Sequence, residues 1–130
     1  MEATPPTLLM IDDDPLMTEL FRQFMTRQGF RVLTATSGQA GLDTIAAESG
    51  AVKLVITDMM MPLMDGIEIA QILAQRQPDL PVLIATGHDA ESAGTSLPPN
   101  VVGIVQKPYQ NRVLAERIRE ILRASASPSS

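Results

Sequence analysis

Four short apolar runs, none of them alternating, constrain this chain more than anything else in it. They are Leu8-Leu9-Met10-Ile11, Leu54-Val55-Ile56, Val82-Leu83-Ile84-Ala85 and Val101-Val102-Gly103-Ile104-Val105. Runs of this length bounded by turn signals read as strands buried on both faces. Strands of that kind belong to parallel sheets with helices on each side. Arg31-Val32-Leu33-Thr34-Ala35 does alternate, as an outer strand should. Helical patterns separate the strands. Asp14 is a good N-cap ahead of Pro15, and Leu16, Met17, Leu20, Phe21, Phe24 and Met25 recur at helical spacing until Gly29. Ser37 caps a second helix with Leu42, Ile45 and Ala46 inward and Gly50 after it. Asp65 opens a third, carrying Ile67, Ile69, Ala70, Ile72 and Leu73.

The last helix places Leu114, Ile118, Ile121 and Leu122 inward. Arg112, Glu116, Arg119, Glu120 and Arg123 point outward, with Arg112–Glu116 and Glu120–Arg123 spaced for weak ion pairs. Between the fourth and fifth strands, Asp89 to Asn100 holds Gly94 and Pro98-Pro99, so only a short or irregular fourth helix fits. The expected fold is therefore α/β, a doubly wound five-stranded parallel sheet. One domain over residues 7–123 is expected, between an N-terminal tail at 1–6 and a disordered tail at 124–130.

Composition excludes several classes. Without cysteine the chain has neither disulfides nor thiolate metal sites, which suits a cytoplasmic protein. A net charge of −5 argues against direct nucleic-acid binding. No apolar run reaches membrane-spanning length, so no membrane insertion is expected.

In a parallel sheet all strands end on one edge. Asp12-Asp13-Asp14 ends the first, Asp58 the third and Thr86-Gly87 the fourth, and Lys107-Pro108 follows the fifth. Open α/β sheets bind ligands at that edge. Clustered carboxylates repel, so one protonates or a cation intervenes. Oxygen ligands without His or Cys suit Mg²⁺. Singly, each residue has a plainer role: a strand-end Asp as turn or cap, as Asp14 and Asp65 are; Lys107 as a solvated lysine; Met59, Met60, Met61 and Met64 as packing; His88 as structural or solvated. Their joint placement is what points to chemistry.

These residues carry a resemblance. Leu9-Met10-Ile11-Asp12-Asp13-Asp14-Pro15, Asp58-Met59-Met60-Met61-Pro62-Leu63-Met64-Asp65-Gly66, Ala85-Thr86-Gly87 and Lys107-Pro108 are similar to the motifs of two-component response regulator receiver domains, and the loop from Ala35 to Leu42 has the same look. The likeness covers roughly residues 7–123. It implies a flavodoxin-like fold with strand order 2-1-3-4-5, the order known for this family. It implies that Asp58 accepts a phosphoryl group from a sensor histidine kinase or histidine phosphotransfer protein. Asp13, Asp58 and the Met60 carbonyl would hold Mg²⁺, with Asp12 acting mostly through water. Lys107 would pair with Asp58 and then with a phosphoryl oxygen, and Thr86 would donate its hydroxyl. Pro108 would follow a cis bond that aims Lys107 into the pocket.

The resemblance also implies a downstream protein partner that reads the phosphorylated state. The family's aromatic switch position is Ile104 here, and the usual amphipathic fourth helix is missing. Thr86 and the Asp89–Asn100 loop are therefore expected to carry the switch. No output domain follows in this sequence, so the chain is a stand-alone receiver or part of a larger protein such as a hybrid kinase. Beyond its own phosphorylation and dephosphorylation, no enzymatic turnover is expected. Two rivals remain at this point. Asp12-x-Asp14 faintly resembles the haloacid dehalogenase phosphohydrolases, although Leu16 departs from that motif. The other is a receiver-fold protein-binding module that works without phosphorylation.

Overall fold

The computed structural model describes residues 5–48, 50–87 and 97–126. His88 and most of the Asp89–Asn100 stretch, where a short or irregular fourth helix was expected, lie outside the described residues. The elements run β1 (Thr7–Ile11), α1 (Pro15–Arg27), β2 (Arg31–Ala35), α2 (Gly38–Ala47), β3 (Val52–Asp58), α3 (Gly66–Arg76), β4 (Val82–Thr86), β5 (Val101–Gln106) and α4 (Asn111–Ala126). The five strands form one parallel sheet in the order β2-β1-β3-β4-β5. This is the flavodoxin-like order expected from the sequence.

The near-continuous apolar strands β1, β3 and β4 are explained by burial on both faces. Strand β5, expected to be buried likewise, is instead an edge strand with no fully buried residue and Val102 44% exposed. Leu9, Ile11, Val55, Val82 and Ile84 pack with Leu42, Ile45, Ile69 and Leu73 from α2 and α3. Leu8, Met10, Leu54, Ile56 and Leu83 pack with Phe21 and Met25 of α1 and Leu114 and Ile118 of α4. Successive strand residues thus feed opposite layers, as the pleat demands. Burying each such side chain is worth about 1.5–3 kcal/mol, so the two layers fix the sheet's position between the helices.

The caps are where the sequence puts them. Asp14 accepts from the Leu16 N–H at 3.0 Å, with Pro15 opening α1. Ser37 accepts from Ala40 N–H at 3.1 Å. Asp65 and Glu68 form a reciprocal capping box at the start of α3. Gly29 and Gly50 take positive φ angles of 98° and 85° beyond the ends of α1 and α2.

Several expectations need correction. Leu16 and Leu20 share the helical spacing of α1 but are 64% and 47% exposed. The buried face of α1 is Thr18, Phe21 and Met25. Ala46 is likewise exposed. The ion pairs Arg112–Glu116 and Glu120–Arg123 do not form among the described residues. Arg119 is half-buried instead of pointing outward. It reaches Gln28, donating to its Oε1 at 2.8 Å and its carbonyl at 3.3 Å, and lies 5.6 Å above the Phe30 ring. A carbonyl and an aromatic face hold a guanidinium better than an exposed carboxylate one helical turn away. Helix α4 also continues to Ala126, so the segment expected to be unstructured from 124 starts as helix.

Candidate phosphoacceptor site

Each functional side chain is placed by the end of a strand. Asp12 directly follows β1, its N–H held by the Ala35 carbonyl at 3.1 Å. Its side chain is 1% exposed, and Oδ1 accepts from the Asp14 N–H at 3.0 Å. Asp58 ends β3 and is 8% exposed. There the Met59 N–H continues the ladder to the Ala85 carbonyl at 2.8 Å, and the Gly66 N–H bonds the Met59 carbonyl at 2.9 Å, closing the loop between β3 and α3. A Cβ on Gly66 would stand 2.8 Å from the Asp58 carbonyl oxygen, so only glycine lets α3 begin this close to the site. Thr86 ends β4 and is 1% exposed, and its carbonyl accepts from the Lys107 N–H at 2.7 Å. The Lys107–Pro108 peptide bond is cis.

Lys107 crosses the edge of the sheet. Its Nζ lies 3.2 Å from Asp58 Oδ2 and 3.3 Å from Asp12 Oδ2. The pairing with Asp58 matches the sequence-based expectation. The contact with Asp12 was not anticipated, since Asp12 was expected to act through water. Asp13, exposed, joins Asp12 and Asp58, and one ligand oxygen from each lies within 4.8 Å of the others. Met60 is 62% exposed, and its backbone N–H favours the ionised form of the Asp58 carboxyl. Ile104 stands beside Ile84 in β5 and packs into the α2/α3 layer. Tyr109, just past Pro108, packs into the opposite layer.

The electrostatics show a site short of positive charge. Burial pushes the Asp58 carboxyl above its ordinary range. Lys107 and the Met60 N–H oppose that, while the charge on Asp12 adds to it. Burial alone would pull the Lys107 ammonium down, but its contacts with Asp58 and Asp12 outweigh this and hold it above its usual value. One cation shared by two buried carboxylates is well stabilised, yet it cannot satisfy both of them.

The oxygen-only donor set therefore fits a further hard cation of the Mg²⁺ type. A cavity of about 1000 Å³ at the opposite edge of the sheet, among Pro6, Arg31, Lys53, Pro78 and Leu122, contains none of these residues. Size alone does not mark the functional end of this molecule; the converging charges do.

A doubly wound sheet with three carboxylates and a lysine at its carboxyl edge defines a class of flavodoxin-like domain with a charged site at its strand ends. The particular family follows from comparison. The chain belongs to the response regulator receiver domain family, whose model matches residues 8–119. It is 35% identical over 127 residues to transcriptional regulatory protein GlrR of Escherichia coli, covering 97% of this chain and 28% of that protein. It is 36% identical over 125 residues to a transcriptional regulatory protein CpxR homolog of Haemophilus influenzae, covering 95% of this chain and 53% of that protein.

The chain thus spans about half or less of these relatives' length. A CheY-like receiver domain structure from Methanospirillum hungatei superimposes with a TM-score of 0.84 at 26% identity, over 93% of this chain and 96% of that one. This is a receiver domain of two-component response regulators, a signalling protein. No helix among the described residues is long and apolar enough to cross a membrane.

Proposed function

We propose that Asp58 accepts a phosphoryl group from the phosphohistidine of a sensor histidine kinase or histidine phosphotransfer protein in the cytoplasm, and that the aspartyl phosphate switches binding of a downstream protein. The observation that carries this reading is the convergence of Asp12, Asp13 and Asp58 around a lysine that touches two of them. A carboxylate oxygen of Asp58 attacks phosphorus, forming a P–O bond as the P–N bond to the donor imidazole breaks. Lys107, already 3.2 Å from Asp58, follows the charge as it moves onto a phosphoryl oxygen. The Met60 N–H favours the ionised carboxylate that attacks. Thr86, at the adjacent strand end, is the hydroxyl assigned to the phosphoryl group.

Asp13, Asp58 and the Met60 carbonyl, with Asp12 through water, are the residues that would hold Mg²⁺, which when bound neutralises charge on the transferring phosphoryl oxygens. The exposed Leu16, Leu20 and Leu63 belong to segments that follow the two acidic strand ends and offer apolar contact to a donor protein. Ile104, packed beside Ile84, cannot signal by turning an aromatic ring. The conformational response is therefore assigned to Thr86.

Incubation with acetyl phosphate tests the proposal. One phosphoryl group per chain should appear by intact mass with Mg²⁺ and none in EDTA. Asp58→Asn labelled at the wild-type level would refute it and favour a module that works without phosphorylation.

A further inference from the structure

The sequence places Met60 two residues beyond Asp58, and the structure sets it apart from the other described methionines. Met10 and Met25 are wholly buried and Met59 is 7% exposed. Met17, Met61 and Met64 are partly covered. Met61 and Met64 pack against the α2/α3 layer, and the Met64 sulfur sits where a Cβ on Gly38 would be only 2.8 Å away. Met60 is 62% exposed and follows Asp58 by only two residues, and its backbone N–H favours the ionised form of that carboxyl. One accessible thioether thus sits on the segment that leaves the proposed reacting group.

We propose that Met60 is a redox-sensitive modification site whose oxidation by a peroxide slows phosphorylation of Asp58. This rests on Asp58 being the phosphoacceptor. The thioether sulfur attacks one oxygen of hydrogen peroxide. The S–O bond forms, the O–O bond breaks, and the second oxygen leaves as water, so sulfur loses two electrons and peroxide gains them. The product carries a polar, chiral S=O in place of an apolar sulfur and is reducible by sulfoxide reductases. Its oxygen adds negative partial charge beside a pocket already short of positive charge, and so opposes the approach of an anionic phosphoryl donor.

The test uses the intact chain with limiting hydrogen peroxide. Fragmentation mass spectrometry of the peptide containing residues 59–64 assigns the oxygen. Met60 should convert about fivefold or more ahead of Met61, Met64 and Met17, following their exposure. The oxidised protein should accept phosphate from acetyl phosphate about threefold or more slowly, and a sulfoxide reductase should restore the rate. Met60→Leu should react at one rate before and after peroxide, whatever that rate is.

Oxidation falling first on Met10, Met17, Met25, Met59, Met61 or Met64 would overturn the proposal. So would an unchanged rate after Met60 is oxidised, or a Met60→Leu protein slowed to the same extent. If the untreated protein fails to label at all, the phosphoacceptor reading fails, and the regulatory claim with it. The order of oxidation is measured independently of that result.

Discussion

Replacing Lys107 by Met keeps the length of the side chain and removes its charge. The structure sets the size of the effect. Contacts at 3.2 Å and 3.3 Å to Asp58 and Asp12 are each worth about 5 kcal/mol at an effective dielectric constant of 20. Desolvation of the ammonium offsets much of that. Removing one partner of a fully buried ion pair typically costs about 3–5 kcal/mol. Lys107 is 25% exposed, so the expected loss is smaller, about 2–4 kcal/mol in EDTA at neutral pH.

The sign with pH follows from the carboxylates. Asp58 already has a raised pKa, and without the cation it rises further. A carboxyl raised in the folded state leaves stability intact below its ordinary pKa and removes it as pH climbs through the folded value. The deficit of Lys107→Met should therefore shrink as pH falls from about 7 towards 5. Mg²⁺ should bind this variant more tightly than wild type, because the competing ammonium is gone. At a hundredfold excess over Kd it returns about 2.7 kcal/mol. Urea unfolding followed by circular dichroism, in EDTA and in Mg²⁺ at the two pH values, measures all three effects. Wild-type stability in EDTA, or a deficit that does not change with pH, would refute this account of the site's charge.

Asp13→Ala should weaken Mg²⁺ binding severely by calorimetric titration, whereas Asp14→Ala should leave it nearly unchanged and cost about 0.5–2 kcal/mol through loss of the α1 cap. Gly66→Ala should destabilise by about 1–3 kcal/mol in denaturant unfolding, because its Cβ meets the Asp58 carbonyl. Leu63 is fully exposed at φ 73°, so Leu63→Gly should stabilise by about 0.5–1 kcal/mol, left from a left-handed penalty of about 1–2 after glycine's unfolded-state entropy.

The fold was legible because its signals are local and repeated. Leu8–Ile11 and Val82–Ala85 are apolar at every position, and only a strand covered on both faces makes sense of that. Asp12, Asp58, Thr86 and Lys107 were legible as a site because parallel strands bring their ends to one edge.

What stayed hidden depends on side-chain reach and on which flank of a helix meets the core. Leu16 and Leu20 have the right spacing but lie off the Phe21–Met25 face. The Lys107–Asp12 contact joins residues 95 apart in sequence and follows from how far an ammonium reaches over the sheet edge. Leu63 gives no sign of its positive φ, since it is neither Gly nor Asn. Arg119 carries the pattern of an outward residue, and the carbonyl it finds on Gln28 belongs to another element.

The central claim is that Asp58, and not a neighbouring carboxylate, carries the phosphoryl group. Borohydride reduction of the acetyl phosphate-treated protein converts an acyl phosphate to the corresponding alcohol, which marks the modified residue permanently. Peptide sequencing by mass spectrometry should find homoserine at position 58 alone, only in samples that contained Mg²⁺. Homoserine at position 12 or 13, or at none of the three, would contradict the account.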